Sequence, residues 1–490
     1  MESVHAAAED SCLAFNLVGL FGGLLRVLGQ KSINIAPSLN HIRQRVLERW
    51  NWRFSRSGNP RLTIVSQFFP PDFAATGQLL SDLSNRLAAE GLQVQVLTGM
   101  PAYAFNKNIS TPPKVEFRPG VFIRRTSSSA FWPKKIKGRA FNGLLFCFRM
   151  ISRLLRYSRR GDLLLFTTEP AFLPVVGWIT HKLTGAPYIY LVYDLYPDVL
   201  VDLKVLSHRH FIVRVWQALN RLILRDAREV IVLSKPMRER VFSQLGDRSS
   251  KVNIISSWAD DKAITPISKN SNWFAIKNDL VDKFCVVYSG NQGRCHDMVT
   301  IAAAALALRN ETNIVFLFIG SGAQNKRLKD LCNEWCLDNC LFLPYQDYED
   351  LPYSLSSADL ALVTLAVKAE GLVAPSKLYG HLAAGTPVGI VSPENSYLKN
   401  LVDSYGFGKW FANGDAAGLA AWVKHLSQSP LELKQLRKLS RAYSVTQSSP
   451  DVVVPQYMDL LLRHLPKSKT EKVLRVPFGE NRAINDRTVS

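Results

Sequence analysis

The stretch from Arg61 to Leu97 commits this chain to a parallel sheet. Leu62-Thr-Ile-Val-Ser66 reads as a short buried strand, Gln78 to Glu90 carries apolar residues at helical spacing, Gly91 ends the helix, and Val94-Gln-Val96-Leu97 is the next strand. Two strands joined by a helical crossover run parallel, because the helix carries the chain back to the starting edge. The rhythm continues through strand candidates Val121 to Arg124, Leu163 to Thr167, Tyr188 to Val192 and Glu229 to Leu233, which outlines one α/β domain over 61–260. Asp260 to Asn278 is polar and poorly periodic and reads as a linker. The pattern then restarts with a strand at Phe284 to Tyr288, a helix at Val299 to Arg309, a strand at Ile314 to Ile319 and a helix at Asn325 to Glu334. A second domain over 279–465 and a polar tail over 466–490 follow. The 490 residues exceed what one core holds. The expected fold is α/β, with two Rossmann-like, doubly wound domains facing across a cleft where a nucleotide-linked substrate would sit.

Residues 1–60 precede this pattern as an extension. Leu13 to Leu28 is apolar apart from Asn16 and Arg26, but Glu2, Glu9 and Asp10 occupy the place where a signal peptide is basic. The run is shorter than the ~20 residues a spanning helix needs, so it reads as an interfacial amphipathic helix or, equally, as a helix packed on the protein itself. Seven scattered cysteines do not suggest a disulfide framework and fit a reducing, cytoplasmic compartment. Cys332, Cys336 and Cys340 recur every fourth residue and are expected to be buried structural thiols rather than metal ligands.

Three loops carry candidate chemistry. Ser289-Gly290-Asn291-Gln292-Gly293-Arg294 follows a strand and precedes a helix, so its glycines would let an oxyanion approach the backbone while Arg294 adds a charged fork. A plain tight turn uses the same residues. Gly320-Ser321-Gly322 is a second glycine turn at the same sheet edge. In Pro375-Ser376-Lys377-Leu378-Tyr379, Ser376 is expected to cap a helix whose first turn presents Lys377, a point cation suited to phosphate. In the first domain, Asp194 and Asp198 flank Leu195-Tyr-Pro197 at a strand end, where they would orient a hydroxyl or merely close a turn. His296 is read either as a donor contact or as a helix-start residue.

These pieces, in order, resemble family 4 of the glycosyltransferases, in the GT-B superfamily, and most of all the branch acting in colanic-acid and related exopolysaccharide or O-antigen synthesis. The likeness runs from Arg61 to Leu462 through Phe68-Phe-Pro-Pro-Asp-Phe-Ala-Ala-Thr-Gly-Gln78, Leu97-Thr-Gly-Met-Pro-Ala-Tyr103, Tyr193-Asp-Leu-Tyr-Pro-Asp198, Tyr288-Ser-Gly-Asn291 and Pro375-Ser-Lys377. The resemblance implies a retaining hexosyl transfer from a nucleotide-sugar donor, without a required metal or other cofactor. It puts the acceptor on the first domain and the nucleotide on the second. Carried over, Gly77 faces the diphosphate, and Arg294 and Lys377 balance the charge of the departing nucleotide. Gly290, Asn291, Gly293, Gly320, Gly322, Pro375, Ser376 and Glu370 belong to the donor side. Asp194, from its place at the strand end, is read as a catalytic candidate that orients the acceptor hydroxyl or the donor sugar. Family members commonly hold the ribose with a Glu three residues past the Lys, and Gly380 stands there in this chain.

The formal net charge is +20, and between Phe117 and Gly161 there are twelve Lys or Arg and no Asp or Glu. Arg149, Arg153, Arg156 and Arg160 fall on one helical stripe, with Phe141, Leu144, Leu145, Phe148, Ser152 and Leu155 on a broad opposite face and Phe131-Trp132-Pro133-Lys-Lys135 ahead of it. This mixture suits an anionic lipid surface better than nucleic acid. The expected partners are therefore a nucleotide sugar, a lipid-linked or glycan acceptor contacted near Asp198, and the inner face of the plasma membrane. The competing readings are a nucleotide-sugar epimerase of GT-B fold and a catalytically weak peripheral membrane-binding protein.

Overall fold

In the computed structural model, the structure describes residues 61–465 apart from 73, 102–110, 128–135, 159–160 and 246–249. The N-terminal extension, the tail, Tyr103, the Phe131 to Lys135 segment and Arg160 all lie outside the described residues.

The first lobe is built on eight strands: β1 Leu62–Val65, β2 Val94–Gly99, β3 Val115–Arg118, β4 Val121–Thr126, β5 Leu163–Phe166, β6 Tyr188–Val192, β7 Glu229–Val232 and β8 Val252–Ile254. Their order across the sheet is β3-β4-β2-β1-β5-β6-β7-β8, and every neighbouring pair is parallel except β3 against β4. The central strands read as unbroken apolar runs because helices cover both faces. Strand β3 went unseen in the sequence because it alternates exposed with half-buried residues at a sheet edge.

The second lobe carries β9 Phe284–Ser289, β10 Ile314–Ile319, β11 Cys340–Leu343, β12 Leu360–Thr364, β13 Val388–Val391 and β14 Gly408–Phe411, all parallel, in the order β11-β10-β9-β12-β13-β14. The stretch read as a linker contains the helix Trp273–Lys277, whose Phe274 and Ala275 pack under this sheet with Leu280 and Ile319. Cys332 is buried as expected, but Cys336 is exposed. The helix Asn325–Glu334 ends before Cys336, which sits at a φ of 50° beyond any shared helix face.

The final helix, Pro450–Leu462, leaves the second lobe and returns to the first. Its Val453, Val454, Tyr457, Leu460 and Leu461 join the first lobe's core, against Trp258 among others. The chain therefore crosses between lobes twice.

Candidate active site

In both lobes the carboxyl ends of the strands feed loops into the boundary between them, where ligands of open parallel sheets bind. On the second-lobe side, the turns after β9 and β10 interlock. Gly290 has a φ of +123° and Gly320 of +119°, conformations that side chains disfavour. A Cβ on Gly320 would lie 2.4 Å from the Gly290 carbonyl, and one on Gly322 would lie 2.5 Å from the Gln292 backbone. Hydrogen bonds clamp the pair: Gly290 N to Ile319 O at 2.9 Å, Gln292 N to Ser321 O at 2.9 Å, and Gln324 Nε2 to Gly293 O at 2.6 Å.

Lys377 reaches this double turn from the start of the helix Lys377–Ala383. Its ammonium lies 3.9 Å from the centre of the Tyr288 ring. It donates to the Tyr288 hydroxyl and to the Asn291 carbonyl at 3.4 Å, and stands 3.5 Å from His296 Nε2. Burial and the Lys377 charge push His296 down to about 3, so its ring is neutral. Because Nδ1 lies 2.7 Å from the Thr364 carbonyl, the ring's one proton belongs there, and Nε2 is left to accept from Lys377. Every partner of Lys377 among the described residues is thus uncharged, and burial pushes the ammonium well below its usual range. A half-buried cation without a counter-charge is held at some cost, and an arriving anion relieves it. His296 therefore holds the lysine, a third role beside the two read from sequence.

The other donor-side residues divide. Asn291 and the exposed Arg294 lie on the same turn as Gly290 and Gly293, and Arg294 makes no ion pair among the described residues. Pro375 is buried at the entry to the Lys377 helix. Ser376 does not cap that helix: it already has helical angles, φ −66° and ψ −20°, rather than the extended backbone a cap needs, and its side chain makes no cap bond. Glu370 is nine-tenths buried, and its carboxylate accepts from Tyr397 N at 3.3 Å at the start of the helix Tyr397–Tyr405, a structural anchor. A Cβ on Gly380 would lie 3.2 Å from Leu355 Cδ1, so this helix approaches its neighbour closely where relatives by resemblance carry Glu.

From the first lobe, Asp194 meets the same loops. It forms an antiparallel bridge with Val373, and Leu195 N donates to the Leu372 carbonyl at 3.0 Å. Burial, and after it the charge of Glu169, push the Asp194 carboxyl up to about 7. Burial and the Asp194 charge hold the Cys295 thiol up at about 12, which places Asp194 beside the segment joining Arg294 to His296. Gly77 sits in the first turn of the helix Ala75–Ala89, where a Cβ would lie 3.0 Å from the Phe68 and Phe69 backbone, so its bareness serves this close approach. Asp198 is not free for a substrate hydroxyl: its carboxylate accepts from Gln217 at 3.1 Å and Gln244 at 3.5 Å. Sequence reasoning placed Thr76 at the ligand-binding edge of the sheet without a role, and passed over Tyr288 as a site residue, and also Thr168 and Glu169. The signal for the last pair was their place directly after β5, at the same sheet edge.

The basic helix spans Ile136–Tyr157. Its apolar surface is divided: Leu144, Cys147, Met150 and Leu154 pack inward, whereas Phe141 and Phe148 are exposed, Phe148 by 59%. The single broad apolar face expected is thus mostly a core contact, with a narrower aromatic edge facing out. Arg149 donates to the Ser127 carbonyl at 2.5 Å. Arg153 and Arg156 lie near enough to Arg124 to push its guanidinium down, after burial. Arg124 stacks on Phe122 and Tyr157 at 4.2 Å each, and Phe117, 77% exposed, packs on Phe122 at 4.4 Å.

Family models for a glycosyl transferase 4-like domain and for glycosyl transferases group 1 match residues 75–258 and 273–443. The chain is 29% identical over 307 residues to a probable glycosyltransferase, WbjE, of Pseudomonas aeruginosa, covering 62% of this chain and 74% of that one. It is 23% identical over 354 residues, 69% of this chain and 84% of the other, to a putative colanic acid biosynthesis glycosyl transferase, WcaI, of Escherichia coli K12. Among solved structures, a sucrose-phosphate synthase from Thermosynechococcus elongatus superposes with a TM-score of 0.67 at 19% identity, over 83% of this chain and 99% of that one. Anabaena HepE in complex with UDP-glucose gives 0.62 at 14%, over 82% and 99%. Both likenesses show the fold, which is GT-B.

Proposed function

Since this chain belongs to the group 1 glycosyltransferases, we propose that it transfers a hexose, with retention, from a nucleotide sugar to a lipid-linked glycan in exopolysaccharide or lipopolysaccharide assembly at a membrane surface. The observation that carries this is Lys377, a half-buried amine with only neutral partners among the described residues, set against two interlocked glycine turns. A diphosphate supplies the missing negative charge. When the bond from the sugar's anomeric carbon to the phosphate oxygen breaks, its electron pair stays on that oxygen. Lys377 and Arg294 stabilise the charge most where it is greatest, in the transition state. The departing phosphate then takes the proton of the acceptor hydroxyl as that oxygen bonds to the anomeric carbon on the same face. Asp194, from the opposite lobe, orients a sugar hydroxyl.

The relatives support the setting: one is described as acting in colanic acid biosynthesis, and the HepE neighbour was solved with UDP-glucose. No helix among the described residues is long and apolar enough to cross a membrane. On this reading, contact with lipid falls to the surface made by Phe117, Phe141, Phe148 and Arg153 to Arg156, because it sets exposed aromatic side chains beside cations.

The test is to incubate the purified protein with labelled UDP- and GDP-sugars and with lipids extracted from membranes of its host. Label entering the lipid fraction supports the assignment. An altered free donor with unlabelled lipid would instead make the protein an epimerase.

A further inference from the structure

Thr168 and Glu169, on the loop after β5, touch both first-lobe segments that reach the cleft. The Thr168 hydroxyl oxygen accepts from the backbone N–H groups of Tyr193 at 3.3 Å and Asp194 at 3.2 Å. The Glu169 carboxylate accepts from the Thr76 hydroxyl at 2.7 Å, one residue before Gly77. The Glu169 carbonyl accepts from Gln67 N at 3.1 Å, at the exit of β1. Asp194 and Leu195 in turn pair with Val373 and Leu372 of the second lobe, on the loop that leads to Pro375 and Lys377.

We propose that Glu169 is a positioning residue for sugar transfer: through Thr76 it fixes the helix start that carries Gly77, and from the adjoining loop it sets the charge environment of Asp194. The proposal rests on the reading of Asp194 as a sugar contact. A carboxylate is suited to this double task. Its hydrogen bond fixes geometry, and its charge acts on a second carboxyl that no hydrogen bond joins to it. The groups facing Asp194 are Glu169 from the β5 loop, the Tyr190 hydroxyl from its own strand and the Cys295 thiol from the second lobe. Neither Tyr190 nor Cys295 is charged at neutral pH, since burial raises both. Glu169 is also pushed up by burial, with Thr76 pulling it back toward ionisation.

Two variants separate the two roles. Glu169→Gln keeps an oxygen for Thr76 and removes the charge; Thr76→Val removes the hydrogen bond and keeps the carboxylate. The first readout needs no substrate. With a folded pKa of about 7 against about 3.9 when unfolded, Asp194 binds a proton in the folded state that the unfolded chain lacks, so its contribution falls as pH rises between those values. Asp194→Asn removes that fall. Glu169→Gln removes both the part of the Asp194 shift that its charge causes and the raised titration of Glu169 itself. The decline in melting temperature between pH 5 and 8 should therefore shrink by more when Glu169→Gln is made in wild type than when it is made in Asp194→Asn, where only the part belonging to Glu169 is left to lose. Equal shrinkage in the two backgrounds overturns the charge role, whether or not any donor is turned over.

The second readout is kinetic, with whichever of UDP-glucose, UDP-galactose, UDP-N-acetylglucosamine and GDP-mannose raises the melting temperature most. Thr76→Val should lower kcat about tenfold to a hundredfold with little change in donor KM, as small misplacements do. Thr76→Ser should restore it. Wild-type kcat in Thr76→Val overturns the positioning role.

Discussion

The ammonium of Lys377 rests on the face of Tyr288, 3.9 Å from the ring centre, and its other partners are a hydroxyl, a carbonyl and a neutral imidazole. The arrangement places the amino group among neutral partners, which disfavours its charged form until an anion arrives. Replacing Lys377 with Ala should lower kcat/KM by two to three orders of magnitude, about 2–4 kcal/mol of transition-state stabilisation. Arg294→Ala should lower it less, because that side chain is exposed and more of its field is screened by water. Steady-state kinetics on both variants, with calorimetric titration of UDP, checks this; wild-type rates in Lys377→Ala would remove the site.

His296 gives the site an acid sensitivity of known sign. Its folded pKa of about 3 lies below the unfolded value of about 6.5. The unfolded chain therefore binds the proton first as pH drops, and stability present above 6.5 is lost on acidification. A His296→Gln variant should lose less melting temperature between pH 7 and pH 4.5 than wild type does. Parallel curves would mean that the ring takes up its proton over the same pH range folded and unfolded, and would overturn the neutral-ring assignment.

The interlocked turns should be intolerant of any side chain. Gly320→Ala forces a Cβ toward the Gly290 carbonyl at a φ of +119°, with a cost of about 1–3 kcal/mol or more. Gly414→Ala, at a φ of +91° with open space around it, should cost only the smaller backbone term of about 1 kcal/mol. Urea unfolding of the two variants measures the difference.

Much of this architecture could be read from the residues, because buried parallel strands write themselves as uninterrupted apolar runs. Ile314 to Ile319 and Tyr188 to Val192 were bounded to the residue for that reason. Edge strands such as Val115–Arg118 carry no such run. The loops around Gly290, Gly320 and Lys377 were also legible, since glycine directly after a strand marks a tight turn open to a ligand and lysine at a helix start marks a cation held near it. Legibility ended where a role depends on a distant partner. The sequence has no pattern by which Thr76 could announce a bond to Glu169, 93 positions away, nor one by which Ser376 shows that its backbone is already helical.

For the membrane surface, Arg153→Glu with Arg156→Glu should reduce binding to vesicles containing anionic lipid by more than tenfold, at about 1 kcal/mol for each basic residue near the surface. Phe148→Ser should weaken binding in a salt-insensitive way, because its contribution is apolar. Vesicle sedimentation at low and high salt distinguishes the two; unchanged sedimentation of the charge-reversal variant would detach this surface from lipid.

The return of the helix Pro450–Leu462 to the first lobe's core has a mechanical consequence. Two bodies joined by one tether can wander and twist relative to each other, whereas two bodies pinned at two points keep only the swing about the line through the pins. Any relative motion of the lobes is therefore reduced to a clam-like gape, so Lys377 and Asp194 would come back to the same mutual placement whenever the lobes close. Cutting the chain ahead of Pro450 would release that constraint and strip Tyr457 and Leu461 from their seats, so an isolated first lobe would need this helix supplied in trans.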